Sequence, residues 1–119
     1  MAETERALTF RPATLEDSAF AADLATAQRP DEPEDPASWR HWWQSADPAW
    51  TVERFIALRG GAAVGYLSHV HAPWEQLPRR YGRIRAEFAP AERSDARLAA
   101  GLDFIEQRSR ATGTAIYST

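Results

Sequence analysis

Alternating apolar and polar residues predict the strands of this chain. Leu8–Arg11 alternates and stops at Pro12, which cannot donate to a strand ladder. Residues 52–59 and 62–71 flank the pair Gly60–Gly61, and glycine permits the positive φ angles of a hairpin turn. The sequence therefore predicts a first strand and, further along, a β-hairpin.

Apolar residues at intervals of three and four predict a first helix. Thr14 is a good N-cap and Asp17 follows three positions later, so we expect a helix from Leu15 to about Gln28. Its inward face is predicted to hold Phe20, Ala21, Leu24 and either Ala27 or Gln28.

A second helix, Ala37 to about Ser45, is expected after the proline-rich and acidic loop 29–36. It carries Trp39, Trp42 and Trp43 on one face. The rings either pack this helix onto the sheet or form a wall for a ligand or a partner. Two adjacent tryptophans cannot both point fully inward, so both interpretations stay open.

The stretch from Tyr81 to Ala89 predicts another strand, which ends at Pro90. Its side chains alternate between two faces, with Ile84, Ala86 and Phe88 on one and Arg83, Arg85 and Glu87 on the other. A charged turn follows, and it separates the strand from a long helix.

Ser94 or Asp95 is expected to cap that helix, Ala96 to about Ala111, and Gly113 to stop it. Leu98, Leu102 and Ile105 form its apolar stripe. Residues 114–119 then predict a fifth strand and complete a β-α-β unit. The fold class is α/β (α+β), with a mixed, mostly antiparallel sheet of about five strands and the order β-α-α-β-β-β-α-β.

The composition of the chain argues against several classes of partner and location. A chain of 119 residues with 44% hydrophobic and 26% charged residues is expected to form a single domain, 1–119. The net charge of −3 argues against nucleic acid and anionic membranes as partners. No apolar run approaches a membrane span and the start lacks the features of a signal peptide, so we expect a cytoplasmic protein.

Metal and thiol chemistry are not expected. The chain has no cysteine, which excludes a thiolate nucleophile or thiolate ligands. Its histidines, His41, His69 and His71, form no familiar metal spacing with nearby carboxylates.

Four segments together resemble the GCN5-related N-acetyltransferases, the GNAT family. Residues 10–17, Phe-Arg-Pro-Ala-Thr-Leu-Glu-Asp, resemble the first strand and the entry to the first helix. Residues 57–66 are similar to the second hairpin with its Val-Gly-Tyr, and residues 88–93 to the hydrophobic-x-Pro-x-x-Arg that closes the fourth strand. Residues 111–113 match the end of the long third helix, so the likeness covers nearly the whole chain.

The resemblance implies acetyl transfer from acetyl-CoA to an amine, without a metal. It makes Glu87 the candidate general base, and a backbone N–H of the fourth strand the group that polarises the thioester carbonyl. Alternatively, Glu87 is a surface carboxylate paired with Arg83 or Arg85. His69 and His71 are second-choice bases or simple edge-strand histidines.

The resemblance also implies a set of residues that bind acetyl-CoA: Phe88, Ala89, Arg93, Ser94, Asp95, Ala96, Arg97 and Leu98. The family loop usually runs Arg-x-x-Gly-x-Gly, whereas the aligned positions here are Arg93, Ala96 and Leu98. Arg93 and Arg97 either supply charge for the phosphates or are solvated helix charges.

Family members also continue past the fifth strand, and that region often supplies a tyrosine as general acid. Tyr117 lies on the fifth strand and is interpreted as a packing residue rather than as that acid. The acidic residues from Asp31 to Asp35 lie where the family shapes its acceptor pocket, so they either favour a cationic amine or form a solvated loop.

Two functions from different classes follow. One is an N-acetyltransferase for a primary amine of a small molecule or peptide. The other is a catalytically silent domain of the same fold with a structural, regulatory or protein-interaction role. An open sheet edge after Thr119 is expected to permit a homodimer or docking of a partner.

Overall fold

The computed structural model describes residues 8–71, 81–111 and 116–118, and for residues 81, 82 and 116–118 it describes the backbone only. Five strands are present: β1 (Leu8–Pro12), β2 (Thr51–Arg59), β3 (Ala62–His71), β4 (Tyr81–Phe88) and β5 (Ile116–Ser118). Three helices accompany them: α1 (Ser18–Gln28), α2 (Pro36–Gln44) and α3 (Asp95–Ala111). Two short 3-10 turns, Leu15–Asp17 and Pro90–Glu92, precede α1 and α3.

The strands form one sheet in the order β1-β2-β3-β4-β5. The pairs β1–β2, β2–β3 and β3–β4 are antiparallel. β5 runs parallel to β4 after the α3 crossover. The β2–β3 turn has positive φ at Gly60 (59°) and Gly61 (82°), as a glycine pair permits. The predicted mixed sheet and its element order are confirmed.

The start of α1 is fixed by a capping box. Thr14 N donates to Asp17 Oδ2 at 2.7 Å, and Arg11 donates to both Asp17 oxygens at 2.8 and 3.0 Å. The hydrogen bond from Arg11 is the main reason that the pKa of Asp17 is lowered. The predicted cap is confirmed, although a 3-10 turn fills Leu15–Asp17 and the α-helix begins at Ser18.

Helices cover both faces of the sheet. α1 and α2 cover one face, where the core holds Ala21, Ala22, Leu24, Ala25, Trp39, Ile56 and Tyr66. α3 covers the other, where the core holds Phe55, Ala57, Val64, Leu67, Ile84, Phe88 and Ile105. The predicted apolar face of β4 and the stripe of α3 are confirmed. On α1 the exposed Ala27 is not part of the inward face, and Gln28 is half-buried instead.

α3 approaches the sheet closely around the ring of Phe88. A Cβ atom at Gly101 of α3 would lie 3.1 Å from that ring, and one at Gly65 of β3 would lie 2.7 Å from it. Phe88 is itself 1% exposed. Its ring therefore lies between two residues that must lack side chains, which fixes the end of β4 against α3.

Some predicted features fall outside the described residues. Gly113 and residues 114, 115 and 119 are among them, so only Ile116–Ser118 of the fifth strand is observed. In the part of the chain that the structure describes, no helix is long and apolar enough to cross a membrane.

Candidate functional site

The end of β4 has a free backbone edge. β5 pairs with β4 at Tyr81–Arg83, and among the described residues no strand lies beside Ile84–Phe88 on that side. Ala89 N donates to Val64 O at 2.9 Å, so Phe88 opposite Gly65 is a non-hydrogen-bonded pair of the antiparallel ladder. The N–H of Phe88, and by alternation that of Ala86, therefore points away from β3.

A cavity of about 490 Å³ lies along this free edge, between β4 and α3. Its lining consists of β4 residues 84–87, Leu98 and Leu102 of α3, and Arg29. The end of the strand is also tied to α1, because Gln28 Nε2 donates to Phe88 O at 2.9 Å. The cavity thus has backbone N–H groups that point away from β3 on one wall and apolar side chains on the other.

Glu87 borders the same cavity, and it is buried, with 8% of its surface exposed. Its Oε2 has no hydrogen-bond partner, and Arg85 Nε lies 3.8 Å from its Oε1. Burial raises the pKa of Glu87, and the nearby Arg85 opposes this only in part. The alternative interpretation is thus right about the pairing with Arg85, but Glu87 is buried and does not lie on the surface. A buried carboxylate with a raised pKa is the form that a general base takes.

The predicted acetyl-CoA residues lie at the start of α3. Ser94 acts as its N-cap: Ser94 O accepts from Leu98 N at 2.9 Å, and Ser94 Oγ accepts from Arg97 N at 3.2 Å. The N–H groups of Asp95 and Ala96 precede the first intrahelical hydrogen bond and can face a ligand. Leu98 faces the cavity along β4.

The two arginines of the predicted acetyl-CoA loop, Arg93 and Arg97, differ in their contacts. Arg97 Nη1 donates to Glu92 O at 2.9 Å and to Glu92 Oε1 at 3.0 Å, and Arg59 also binds Glu92, at 2.7 and 2.9 Å. Arg93 is exposed and donates to Gln28 Oε1. Arg93 is therefore the loop cation that a phosphate can reach most easily, whereas Arg97 is already neutralised by a carboxylate.

The N–H of Ala89 is used in the sheet, and its predicted part in acetyl-CoA binding stays a prediction. Gln28, which sequence reasoning did not single out, contacts both Phe88 and Arg93. No sequence signal marks this role, since Gln28 lies 60 residues before Phe88. Tyr117 has no described side chain, so its predicted packing role stays a prediction.

The two candidate histidines lie on the opposite face of the sheet from Glu87. His69 is paired in register with Ile84 of the α3 face, and it is fully buried. Its Nε2 lies 2.7 Å from Glu53 Oε1, and Arg108 of α3 also binds Glu53. His71 stacks on His69 with ring centroids 6.2 Å apart. Both rings are buried parts of the packing between β3 and α3, away from Glu87.

A second cavity, of about 330 Å³, lies between α2 and the sheet. Trp39 is buried and Trp43 stacks on Tyr66 at 5.5 Å between ring centroids, whereas Trp42 is 56% exposed. All three tryptophans line this cavity. Both interpretations of the tryptophan helix thus apply: Trp39 and Trp43 pack on the sheet, and the three rings together wall a cavity.

The acidic loop contributes one carboxylate to this second cavity. Glu34 lines it and accepts a hydrogen bond from Trp39 Nε1 at 3.2 Å. Asp35 instead caps α2 by accepting from Ala37 N, and Asp31 and Glu32 are exposed. Within the described residues, no group of three or more metal-ligating side chains is placed to hold a metal ion.

Comparison with known proteins identifies the fold. The structure is similar to a predicted acetyltransferase with acetyl-CoA from Clostridium acetobutylicum (TM-score 0.71, 14% identity, covering 94% of this chain and 79% of that one). It is also similar to a ribosomal-protein-alanine N-acetyltransferase from Brucella melitensis biovar Abortus (TM-score 0.69, 20% identity, covering 93% of this chain and 77% of that one). A third similar structure is a GCN5-related N-acetyltransferase from Ralstonia eutropha (TM-score 0.67, 17% identity, covering 94% of this chain and 82% of that one). No family model matches the sequence, and no curated protein does. Because these identities are low, the likeness establishes the fold, which is that of the GNAT acetyltransferases as the sequence predicts.

Proposed function

We propose that this chain, whose fold is that of the GNAT acetyltransferases, transfers an acetyl group from acetyl-CoA to a primary amine. The observation that carries the proposal is that a buried Glu87 directly precedes Phe88, whose N–H points away from β3, at the end of β4. A base and an N–H donor at one strand end are what amine acylation requires.

The cavity along β4 fits the acyl and pantetheine part of acetyl-CoA. Its backbone edge offers N–H and C=O groups to an amide-bearing chain, and Leu98 and Leu102 offer apolar contact. The N–H groups of Asp95 and Ala96 and the exposed Arg93 precede Leu98, a lining residue, at the start of α3, where a phosphate is favoured by the helix dipole. When bound, acetyl-CoA supplies the activated acetyl thioester.

Glu87 takes the proton of the attacking amine. An ammonium group is not nucleophilic, so a base with a raised pKa beside the acceptor is needed near neutral pH. Phe88 N–H donates to the carbonyl oxygen as negative charge develops on it, and burial around Phe88 makes that hydrogen bond stronger than it is in water.

The proposal is tested by a thermal melt with acetyl-CoA, with CoA and ATP as controls. A ligand at about 100 times its dissociation constant stabilises the native state by about 2.7 kcal/mol, which moves the midpoint of a domain of this size by several degrees. We expect a shift with acetyl-CoA and CoA but not with ATP. The R93Q variant should reduce the shift caused by acetyl-CoA. The R83Q variant should not, because Arg83 is exposed and does not line this cavity.

A catalytically silent domain is the second candidate. It is favoured by Arg97, which the protein itself neutralises with Glu92, and by the absence of the family's glycines at Ala96 and Leu98. A melt unmoved by millimolar acetyl-CoA supports this candidate and refutes the enzyme. A cytoplasmic location, the lack of a nucleic-acid or membrane partner and a homodimer through the sheet edge stay predictions.

A further inference from the structure

Two arginines and a serine form one row across the face of the sheet covered by α2. The register pairs Arg54 of β2 with Ser68 of β3, and Ser68 with Arg85 of β4. Adjacent strands are about 4.8 Å apart, so the Cα atoms of the two arginines lie about 10 Å apart with the serine between them. Side chains in such a row project from the same face, which brings the two guanidinium groups over one small area.

α2 fixes the orientation of these arginines. Arg54 lies over the Trp43 ring at 4.7 Å and Arg85 over the Trp39 ring at 5.3 Å. The tryptophans are four positions apart, so they project from the same side of the helix, one to each arginine. These cation–π contacts hold both planar groups in the lining of the second cavity.

The carboxylates near these arginines neutralise them only in part: Glu34 lines the same cavity, where it accepts a hydrogen bond from Trp39 Nε1. Among the described residues Arg54 forms no ion pair, and the carboxylate nearest to Arg85 is Glu87, at 3.8 Å. Tyr66 lines the same cavity, and its hydroxyl is in hydrogen-bonding contact with Ser68 and Arg54. Two like charges held close together raise the energy of the empty site, and a carboxylate bound between them lowers it.

We propose that the second cavity binds the carboxylate of the acceptor, so that the acceptor is a free amino acid with an apolar or aromatic side chain. This inference rests on the proposed function, because it assigns the amine partner of the same reaction. Arg54, Ser68 and Arg85 bind the carboxylate, and the tryptophan and tyrosine rings contact the side chain.

The negatively charged side chains lie toward the end of β4, where acetyl transfer is proposed to take place. Glu87 is two residues beyond Arg85 on the same face of β4, and Glu34 lies close enough to raise the pKa of Glu87. An amino acid whose carboxylate binds the arginines thus directs its amine to the carboxylates, beside Phe88 N–H. The cavity volume of about 330 Å³ suits a ligand of this size. A purely cationic amine, which the acidic loop favours, would bring no carboxylate to Arg54 and Arg85.

The test is calorimetric titration of the 119-residue chain, without acetyl-CoA, with three matched probes. L-phenylalanine has amine, carboxylate and ring, 3-phenylpropionate lacks the amine, and phenethylamine lacks the carboxylate. We expect the two carboxylates to bind and phenethylamine to bind at least tenfold more weakly. R54Q should weaken L-phenylalanine binding about tenfold or more, because a bidentate guanidinium contact is lost.

Two variants control this measurement. R83Q removes an exposed arginine of the same strand face that does not line the cavity, and it should bind like the native chain. R85Q should reproduce the loss seen in R54Q, so a folding defect in one variant does not decide the result. Equal binding of phenethylamine, or no binding of either carboxylate at millimolar concentration, overturns the inference. Neither outcome affects the acetyl-CoA melt, which alone decides the proposed function.

Discussion

At the scale of single residues, Glu87 combines burial with an oxygen that accepts no hydrogen bond. Such a group destabilises the folded chain because a buried carboxylate loses its hydration, and this makes Glu87 a candidate for a functional role. Glu53 shows the contrast. Burial raises its pKa, but hydrogen bonds from Arg108 and His69 outweigh this, and its pKa is lowered overall. The sheet therefore carries one carboxylate held ready to bind a proton and one held ionised.

E87Q should lower the rate of acetyl transfer by about 10²- to 10⁴-fold, the usual contribution of a general base. The native rate should rise with pH as Glu87 loses its proton, at a pH above the ordinary glutamate range because burial raises its pKa. This rise should be absent in E87Q. A pH–rate profile of both proteins checks this.

Although E87Q should lower the rate, it should not lower the stability of the fold. The folded pKa of Glu87 lies above its unfolded value, so folding favours the protonated form and the charged form carries a penalty at neutral pH. E87Q removes that charge, and its melting temperature at pH 7 should be equal to or higher than that of the native chain. A clear drop in melting temperature would contradict the charge penalty and mean that Glu87 contributes to the stability of the fold.

At the scale of elements, the joint between β4 and α3 depends on close packing around Phe88. G65A places a Cβ 2.7 Å from the ring and 3.0 Å from Glu87 O, and the ring cannot retreat because Gly101 lies on its α3 side. We expect a loss of about 1–3 kcal/mol in the free energy of unfolding, as for other overpacked cores. Denaturant unfolding measures it.

G101A is the comparison for that variant. Its Cβ meets Phe88 and Leu67 less tightly, at 3.0–3.1 Å, and alanine favours a helix interior by about 1 kcal/mol over glycine. G101A should therefore be the milder change. If G65A unfolds like the native chain, Phe88 is free to move, and the position of its N–H is not fixed by this packing.

Local patterns predicted the elements well where one physical rule dominates. β3 has its predicted bounds, Ala62–His71, because the glycine pair sets the turn. The alternating faces of β4 follow from its pleat alone. The start of α1 was less predictable, because a capping box is compatible with a 3-10 turn before the α-helix.

The site was predictable only in part, because its contacts join distant segments. Glu87 could be proposed from its strand position, but its burial depends on α1 and α2 packing over the sheet. The Arg59–Glu92 pair, 33 residues apart, and the Gln28–Phe88 hydrogen bond have no local signature. The row Arg54–Ser68–Arg85 needs the strand register, which a hydrophobic pattern does not give.

At the scale of the whole molecule, the sheet is shared by two helical layers with different chemistry. The α1–α2 layer holds the aromatic cavity and Glu87, and the α3 layer lines the cavity along β4. Arg85 lines both cavities, so the two proposed substrates meet across a single strand. This arrangement requires that both layers stay attached to the sheet, which supports the proposal that residues 1–119 form one domain.

If they do, the chain should unfold in a single cooperative transition. Three of the five tryptophans, Trp39, Trp42 and Trp43, lie on α2, so tryptophan fluorescence reports mainly on the α1–α2 layer. Far-ultraviolet circular dichroism also includes α3, the longest helix described. We expect the two signals to give the same midpoint and slope in urea, because both cores include residues of β2 and β3. Two separate midpoints would mean that α3 detaches while α2 stays packed. The cavity between β4 and α3 would then be an opening cleft rather than a fixed site, and acetyl-CoA should bring the two midpoints together by binding the closed form.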